Sequence, residues 1–134
     1  MHMRKTWIGV VVAGVVALGL LAGCKSGQPA IDLPQTEHNF GEVQQGDVAT
    51  VQLPVRNTGN SDLHIESVAT SCGCTSAKVE PMTIPPNGEA TLTVNYNSGL
   101  HPDEGPIFRI IYIDSDDPQM TEATVEIRAD VKVP

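Results

Sequence analysis

From residue 36 onward hydrophobic positions alternate with polar ones, and no stretch repeats with the 3.6-residue period of a helix. Val51, Leu53 and Val55 fall on one face of a strand, Leu63 and Ile65 open a second, and Ala90, Leu92, Val94 and Tyr96 make a third. The final strand is the clearest. Ala123, Val125, Ile127, Ala129 and Val131 point one way, and Glu122, Thr124, Glu126, Arg128, Asp130 and Lys132 the other, giving one buried and one wet face. Phe108, Ile110 and Tyr112 alternate within an apolar run from Ile107 to Ile113, which predicts a central strand covered on both faces. Gln45-Gly46-Asp47, Asn57-Thr58-Gly59-Asn60, Pro85-Pro86-Asn87-Gly88 and Asp116-Asp117-Pro118 separate the runs with residues that turns favour. About seven short strands over residues 36–134 predict an all-β, immunoglobulin-like β-sandwich. A jelly roll or a small barrel needs more strands or a longer chain. The usual intersheet disulfide is not expected, because no cysteine falls inside a core strand.

The beginning of the chain follows different rules. Arg4 and Lys5 precede an uncharged run from Trp7 to Ala22 that is shorter than the roughly 20 residues a transmembrane helix needs. It has the proportions of a signal-peptide core. The run ends in Leu21-Ala22-Gly23-Cys24, which is similar to the bacterial lipobox. That resemblance implies cleavage before Cys24, so that residues 1–23 are a signal peptide and Cys24 becomes a lipidated N-terminus. An ordinary cleaved signal with a free cysteine and an uncleaved anchor helix are the alternatives. Residues 24–35 are polar and punctuated by proline, as expected of a tether holding the domain a little off a bilayer.

Charge narrows the partners. The chain carries 16 acidic and 8 basic residues, a formal charge of −8, and two of the basic residues lie in the expected signal peptide. Nucleic acid is excluded as a partner, since phosphate binding draws on clustered Lys and Arg. An acidic body is not drawn to anionic headgroups, so attachment to a lipid bilayer falls to acyl chains, each buried CH₂ contributing about 0.8 kcal/mol. The expected location is the cell membrane or outer membrane, facing the periplasm or the exterior. Lys25 stands where, in bacteria with two membranes, an aspartate often marks inner-membrane retention.

One constellation carries chemistry. With Cys24 lipidated, the remaining cysteines are Cys72 and Cys74, separated by Gly73. In an oxidising compartment such a pair rarely stays reduced. Two extended residues span slightly more than a disulfide allows, so the loop has to bend at Gly73. The ring so closed is small and strained, which makes it exchangeable, and Ser71, Thr75 and Ser76 are expected to leave its sulfurs accessible. Three uses compete. A staple over so short a loop restricts the unfolded chain little. Redox exchange needs a neighbouring cation, and only Lys78 is near in sequence. Copper(I) or zinc needs further donors, for which His64, His101 and Met82 are the candidates.

The histidines have plainer explanations as surface residues: His64 alternates with Leu63 and Ile65, His101 lies in a loop, and His38 precedes Phe40. Asp114, Asp116 and Asp117, with Asp103 and Glu104, lack the ordered spacing of a calcium loop and read as solvated turns. Neither a nucleophile elbow nor a phosphate-cradling glycine loop occurs, so the chain is not expected to be an enzyme, thiol–disulfide exchange aside.

The ordered series Asn39-Phe40-Gly41-Glu42-Val43 with Gly46, Asn57-Thr58-Gly59, Leu63-His64-Ile65, Thr70 to Thr75, the turn from Ile84 to Glu89, and Asp114 to Pro118 resembles the family catalogued as domain of unknown function 1573. The resemblance covers about residues 35 to 133. It implies an immunoglobulin-like fold related to bacterial periplasmic chaperone domains and to ciliary sandwich domains. The double proline at 85–86 and Asp116, where asparagine is usual, are conservative turn changes. With the signal, these features lead to the expectation of a membrane-anchored protein-binding or envelope-assembly module whose partner is another envelope protein. No cofactor is expected on that reading; copper or zinc handling at Cys72 and Cys74 is the alternative.

Overall fold

A computed structural model describes residues 26–134, so the expected signal peptide and Cys24 lie outside the described residues. Nine strands form two sheets: β1 (Ile31–Asp32), β2 (Glu37–Gln44), β3 (Val48–Asn57), β4 (Leu63–Thr70), β5 (Thr75–Glu80), β6 (Thr83–Ile84), β7 (Glu89–Asn97), β8 (Gly105–Ser115) and β9 (Glu122–Lys132). One sheet has the order β1-β3-β7-β5 and the other β2-β9-β8-β4-β6. The count exceeds the seven expected. β1 and β6 are only two residues each, too short for alternation to reveal.

The core lies between the sheets, and alternation predicts its contributors well. Leu53, Val55, Ala90, Leu92, Val94 and Tyr96 from one sheet face Leu63, Ile65, Val125, Ile127, Ala129 and Val131 from the other, all buried. Each such Leu, Ile or Val contributes roughly 1.5–3 kcal/mol by leaving water. β9 sits between β8, which is antiparallel to it, and β2, which is parallel. The β2 register breaks between Asn39 and Glu42, where Gly41 adopts φ +73° and its N–H bonds to Asn39 Oδ1 at 2.8 Å. A β-bulge with a left-handed residue favours glycine there.

β8 differs from the sequence expectation. Its inward face is Ile107, Arg109, Ile111, Ile113 and Ser115, while Phe108, Ile110 and Tyr112 lie on the outer face, with Phe108 61% exposed. The run is apolar on both faces, yet only the inner one is fully covered, because among the described residues no third layer packs over this sheet.

The N-terminal segment also differs. Ile31 and Asp32 pair with Asn57 and Arg56 of β3, and Ile31 is buried. Upstream, Gln28 N–H bonds to Asn60 Oδ1 at 2.7 Å, and Asn60 N–H returns to Gln28 O at 3.0 Å. Much of the stretch expected as tether is thus attached to the sandwich. The chain enters at the end occupied by the turn after β3, and the loop between β4 and β5 lies at the opposite end.

Candidate functional site

Cys72 and Cys74 lie in that opposite loop. The Thr70 hydroxyl donates to the carbonyls of Cys72 and Thr75, each at 2.9 Å, and Thr75 N–H donates to Cys72 O at 3.1 Å. Ser71 exchanges two bonds with Ile110 of β8, and Asn97 N–H reaches Cys74 O at 2.8 Å. Backbone pairing on both sides thus positions the cysteines. They form a disulfide with Cα atoms 5.2 Å apart, inside the ordinary range.

Three features correct the sequence expectation. Gly73 does not adopt a positive φ, and a Cβ added there would meet nothing within 4 Å, so the bend does not require glycine. The two cysteines are unequally exposed: Cys72 is half-buried, whereas Cys74 is 2% exposed and belongs to the core. Its carbonyl pairs with Asn97 at the end of β7, which draws residue 74 into the sandwich. The nearby cation is Arg109, not Lys78, whose ammonium pairs with Glu80 at 2.9 Å on the surface.

Arg109 projects inward from β8. Its Nε donates to Cys74 Sγ at 3.2 Å, its Nη2 to Asp103 Oδ2 at 2.7 Å, and its Nη1 to the Phe108 carbonyl at 2.8 Å. The Tyr96 hydroxyl donates to the same carboxylate oxygen at 2.9 Å. The Arg109 and Asp103 side chains are each only 18% exposed, so solvent screens the pair little. Burial, together with the bond to Asp103 and its charge, pushes the Tyr96 phenol up to about 12, against a smaller opposing pull from Arg109. Cys74 Sγ also lies 3.7 Å from the Thr75 hydroxyl, and Cys72 Sγ accepts the Cys74 N–H at 3.1 Å. Both sulfurs therefore have hydrogen-bond donors aimed at them.

Of the proposed metal donors the structure brings only one to the pair. Ligand atoms of Cys72, Cys74 and the exposed His101 lie within 4.8 Å of one another, the one such His/Cys/Asp/Glu group among the described residues. His64 is exposed, as expected, and at the far end of the molecule, where its Nδ1 contacts Asp116 Oδ2 at 2.7 Å. Burial raises the Asp116 carboxyl, but the bonds and charge from His64 outweigh it and hold the group below its usual range. Met82, also at that end, is 49% exposed. The aspartates disperse: Asp114 accepts the Ser67 hydroxyl, Asp116 faces His64, and Asp117 is buried, accepting the Ile31 N–H at 2.9 Å. The sequence marks neither Arg109 nor Tyr96 as a neighbour of the cysteine pair, and it offers Asp103 only as part of a solvated acidic turn. The one available signal was a charge inside the apolar run of β8.

Two sheets without a described helix and the parallel pairing of β2 with β9 define an immunoglobulin-like sandwich. Solved structures agree on the fold. The ASH/PapD-like domain of human CEP192 matches at 8% identity and TM-score 0.58, covering 80% of this chain and 88% of that one. The YadV chaperone matches at 14% identity and TM-score 0.53, covering 78% and 52%. A protein of unknown function from Porphyromonas gingivalis W83 matches at 23% identity and TM-score 0.67, covering 78% of this chain and 46% of that one. The chain thus spans less than half of the Porphyromonas protein. It matches no curated protein in sequence. The chain belongs to the family described as protein of unknown function (DUF1573), whose model covers residues 31–131.

Proposed function

We propose that the protein is a lipid-anchored, extracytoplasmic protein-binding module of the bacterial envelope. The observation that carries the binding reading is the outer face of β8. Phe108, 61% exposed, borders a recess of about 390 Å³ lined with Pro106, Ile107, Glu126 and Arg128. A large aromatic held in water beside a paired acid and base, Arg128 with Glu126, has the composition of a contact anchor with a polar rim. The lipobox-like Leu21 to Cys24 supports the anchoring. Because residues 28–32 are attached at the Asn57–Ser61 end, acyl chains on Cys24 hold that end toward the bilayer and turn the Cys72–Cys74 end away from it. The partner in this reading is another envelope protein, and neither turnover nor a cofactor is required.

Site-specific photocrosslinking in intact cells tests the reading. A crosslinker at position 108 is expected to give one discrete adduct in the membrane fraction, and one at Ser76, exposed on the other sheet, none. Equal labelling from both positions, or none from 108, would discard the β8 face as the contact. The anchor is tested separately: Cys24→Ala is expected to leave the protein unprocessed or to release it from membranes.

A further inference from the structure

We propose that Cys72 and Cys74 form a thiol–disulfide exchange site in which Arg109 holds the departing Cys74 sulfur, and that its reaction partner is a dithiol of another protein. The inference stands apart from the β8 contact face and does not depend on it.

The two sulfurs are unequal in a way that sets the direction of attack. Cys74 is 2% exposed and closed to a nucleophile, whereas Cys72 is half-buried and the space beside Gly73 is open. An incoming thiolate therefore reaches Cys72 Sγ. Attack there requires Cys74 to leave, and a sulfur leaves faster when its thiolate is stabilised. Arg109 Nε stands 3.2 Å from Cys74 Sγ, and the Thr75 hydroxyl 3.7 Å. A disulfide sulfur accepts hydrogen bonds weakly, but a thiolate accepts them strongly, so this arrangement favours the reduced state over the oxidised one. Asp103 offsets part of the Arg109 charge and in return fixes the guanidinium with its Nε toward sulfur. Tyr96 takes a share of that same carboxylate oxygen. Once Cys72 is itself a thiolate, the Cys74 N–H that now lies 3.1 Å from its sulfur stabilises it.

The exchange balances as follows. A partner thiolate attacks Cys72 Sγ; a bond between the partner sulfur and Cys72 forms, the Cys72–Cys74 bond breaks, and its electron pair passes to Cys74 Sγ beside Arg109. The partner's second thiolate then attacks the partner sulfur of the mixed disulfide and expels Cys72 as thiolate. The partner dithiol has lost two electrons and two protons and become a disulfide. The Cys72–Cys74 pair has gained the two electrons, and the protons pass to solvent or to the new thiolates.

The test uses the full chain carrying Cys24→Ser, which leaves Cys72 and Cys74 as its only cysteines. Equilibration in glutathione buffers, read by alkylation and mass, is expected to reduce the pair reversibly. Arg109→Met should make the disulfide harder to reduce by about tenfold or more in equilibrium constant, about 30 mV for a two-electron couple. Arg109→Lys should recover part of the shift. Should Arg109→Met fail to fold, single-cysteine variants give an independent reading. Cys74→Ser, which retains Cys72, is expected to form a mixed disulfide with oxidised glutathione at least about tenfold faster than Cys72→Ser, because exposure governs access. Equal rates, an equilibrium that Arg109→Met moves by less than about twofold, or a pair that excess dithiol peptide leaves oxidised each overturn the proposal. So does tight Cu(I) retention by the reduced protein that is lost in His101→Ala while Arg109→Met is without redox effect, which would make the cluster a metal site.

Discussion

Asn57 and Arg109 are both polar side chains held inside the sandwich, near opposite ends, and they are satisfied in different ways. Asn57, 1% exposed, has four backbone partners: its Oδ1 accepts from Ala30 N at 3.2 Å and Gly59 N at 2.9 Å, and its Nδ2 donates to Ser61 O at 2.7 Å and Ile84 O at 2.9 Å. Asp117 does the same at that end, taking the N–H groups of Ile31, Gln119 and Met120. Arg109 instead spends two of its three bonds on a sulfur and a carboxylate, and the carboxylate is shared with a phenol. Side chains that satisfy backbone hold chain segments together, and their value is structural. Side chains that satisfy one another around a disulfide instead place a charged, hydrogen-bonded group beside its sulfur. At the end where the described chain enters, polar side chains tie backbone segments together; at the far end they surround the disulfide.

The largest effects that can break this contrast belong to the entry end. Asn57→Ala frees buried and part-buried backbone groups from three segments, and Gly59→Ala drives a Cβ into the Gln28 carbonyl and to 2.6 Å from Ala30 N. Each is expected to lower the unfolding free energy by about 2–4 kcal/mol, read from the urea midpoint. Loss of less than about 0.5 kcal/mol in both would mean that the N-terminal segment is not structurally attached.

Next in size is an alkaline effect at the far end. Tyr96 holds its proton to about pH 12 in the fold, whereas an unfolded tyrosine releases it near 10. The unfolded state therefore binds fewer protons above pH 10, and stability contributed by the protonated phenol is present below that pH and falls between about 10 and 12. The slope is about 1.4 kcal/mol per pH unit. Urea midpoints measured from pH 9 to 11 should fall in the wild type, and Tyr96→Phe should remove that part of the decline.

Smaller still is the loss of the disulfide. Replacing Cys72 and Cys74 together by serine is expected to cost about 1 to 2 kcal/mol and to spare the fold, since the enclosed loop is short. A double-serine variant without cooperative unfolding would make the pair a structural staple and erase the contrast between the ends. The smallest effect is expected at Gly73→Ala, within about 0.5 kcal/mol, because its new methyl meets open space. That substitution sharpens the comparison with Gly59→Ala: the same change made at the two ends, one closed by backbone and one open.

How far the site was legible follows from how its residues signal. The cysteine pair announces itself by spacing, and the surface position of His64 follows from its place between Leu63 and Ile65. Arg109 carries an ambiguous signal. In an apolar run such as Ile107 to Ile113, alternation alone does not say which face is inward, and the sequence favoured Phe108, Ile110 and Tyr112 as one aligned set in a strand covered on both faces. Pairing with β9 puts Arg109 opposite Ile127, a core residue, and so turns the charge inward. The attachment of residues 28–32 was equally hidden, because prolines and polar residues look the same in a free tether and in a segment bonded to a turn.

The sequence by itself determined the all-β character, the buried faces of β3, β4, β7 and β9, and a cysteine pair with one intervening residue, since all of these depend on neighbours one or two positions away and on the two-residue period of a strand. Only the tertiary structure decided what surrounds the pair. Arg109 lies 35 residues from Cys74 in sequence, and it meets the sulfur because β8 pairs with both β4 and β9 at a particular register. A shift of one residue would turn Arg109 to solvent and Phe108 to the core. Contacts of that kind are set by how sheets align and stack, and no local pattern of residue types encodes them.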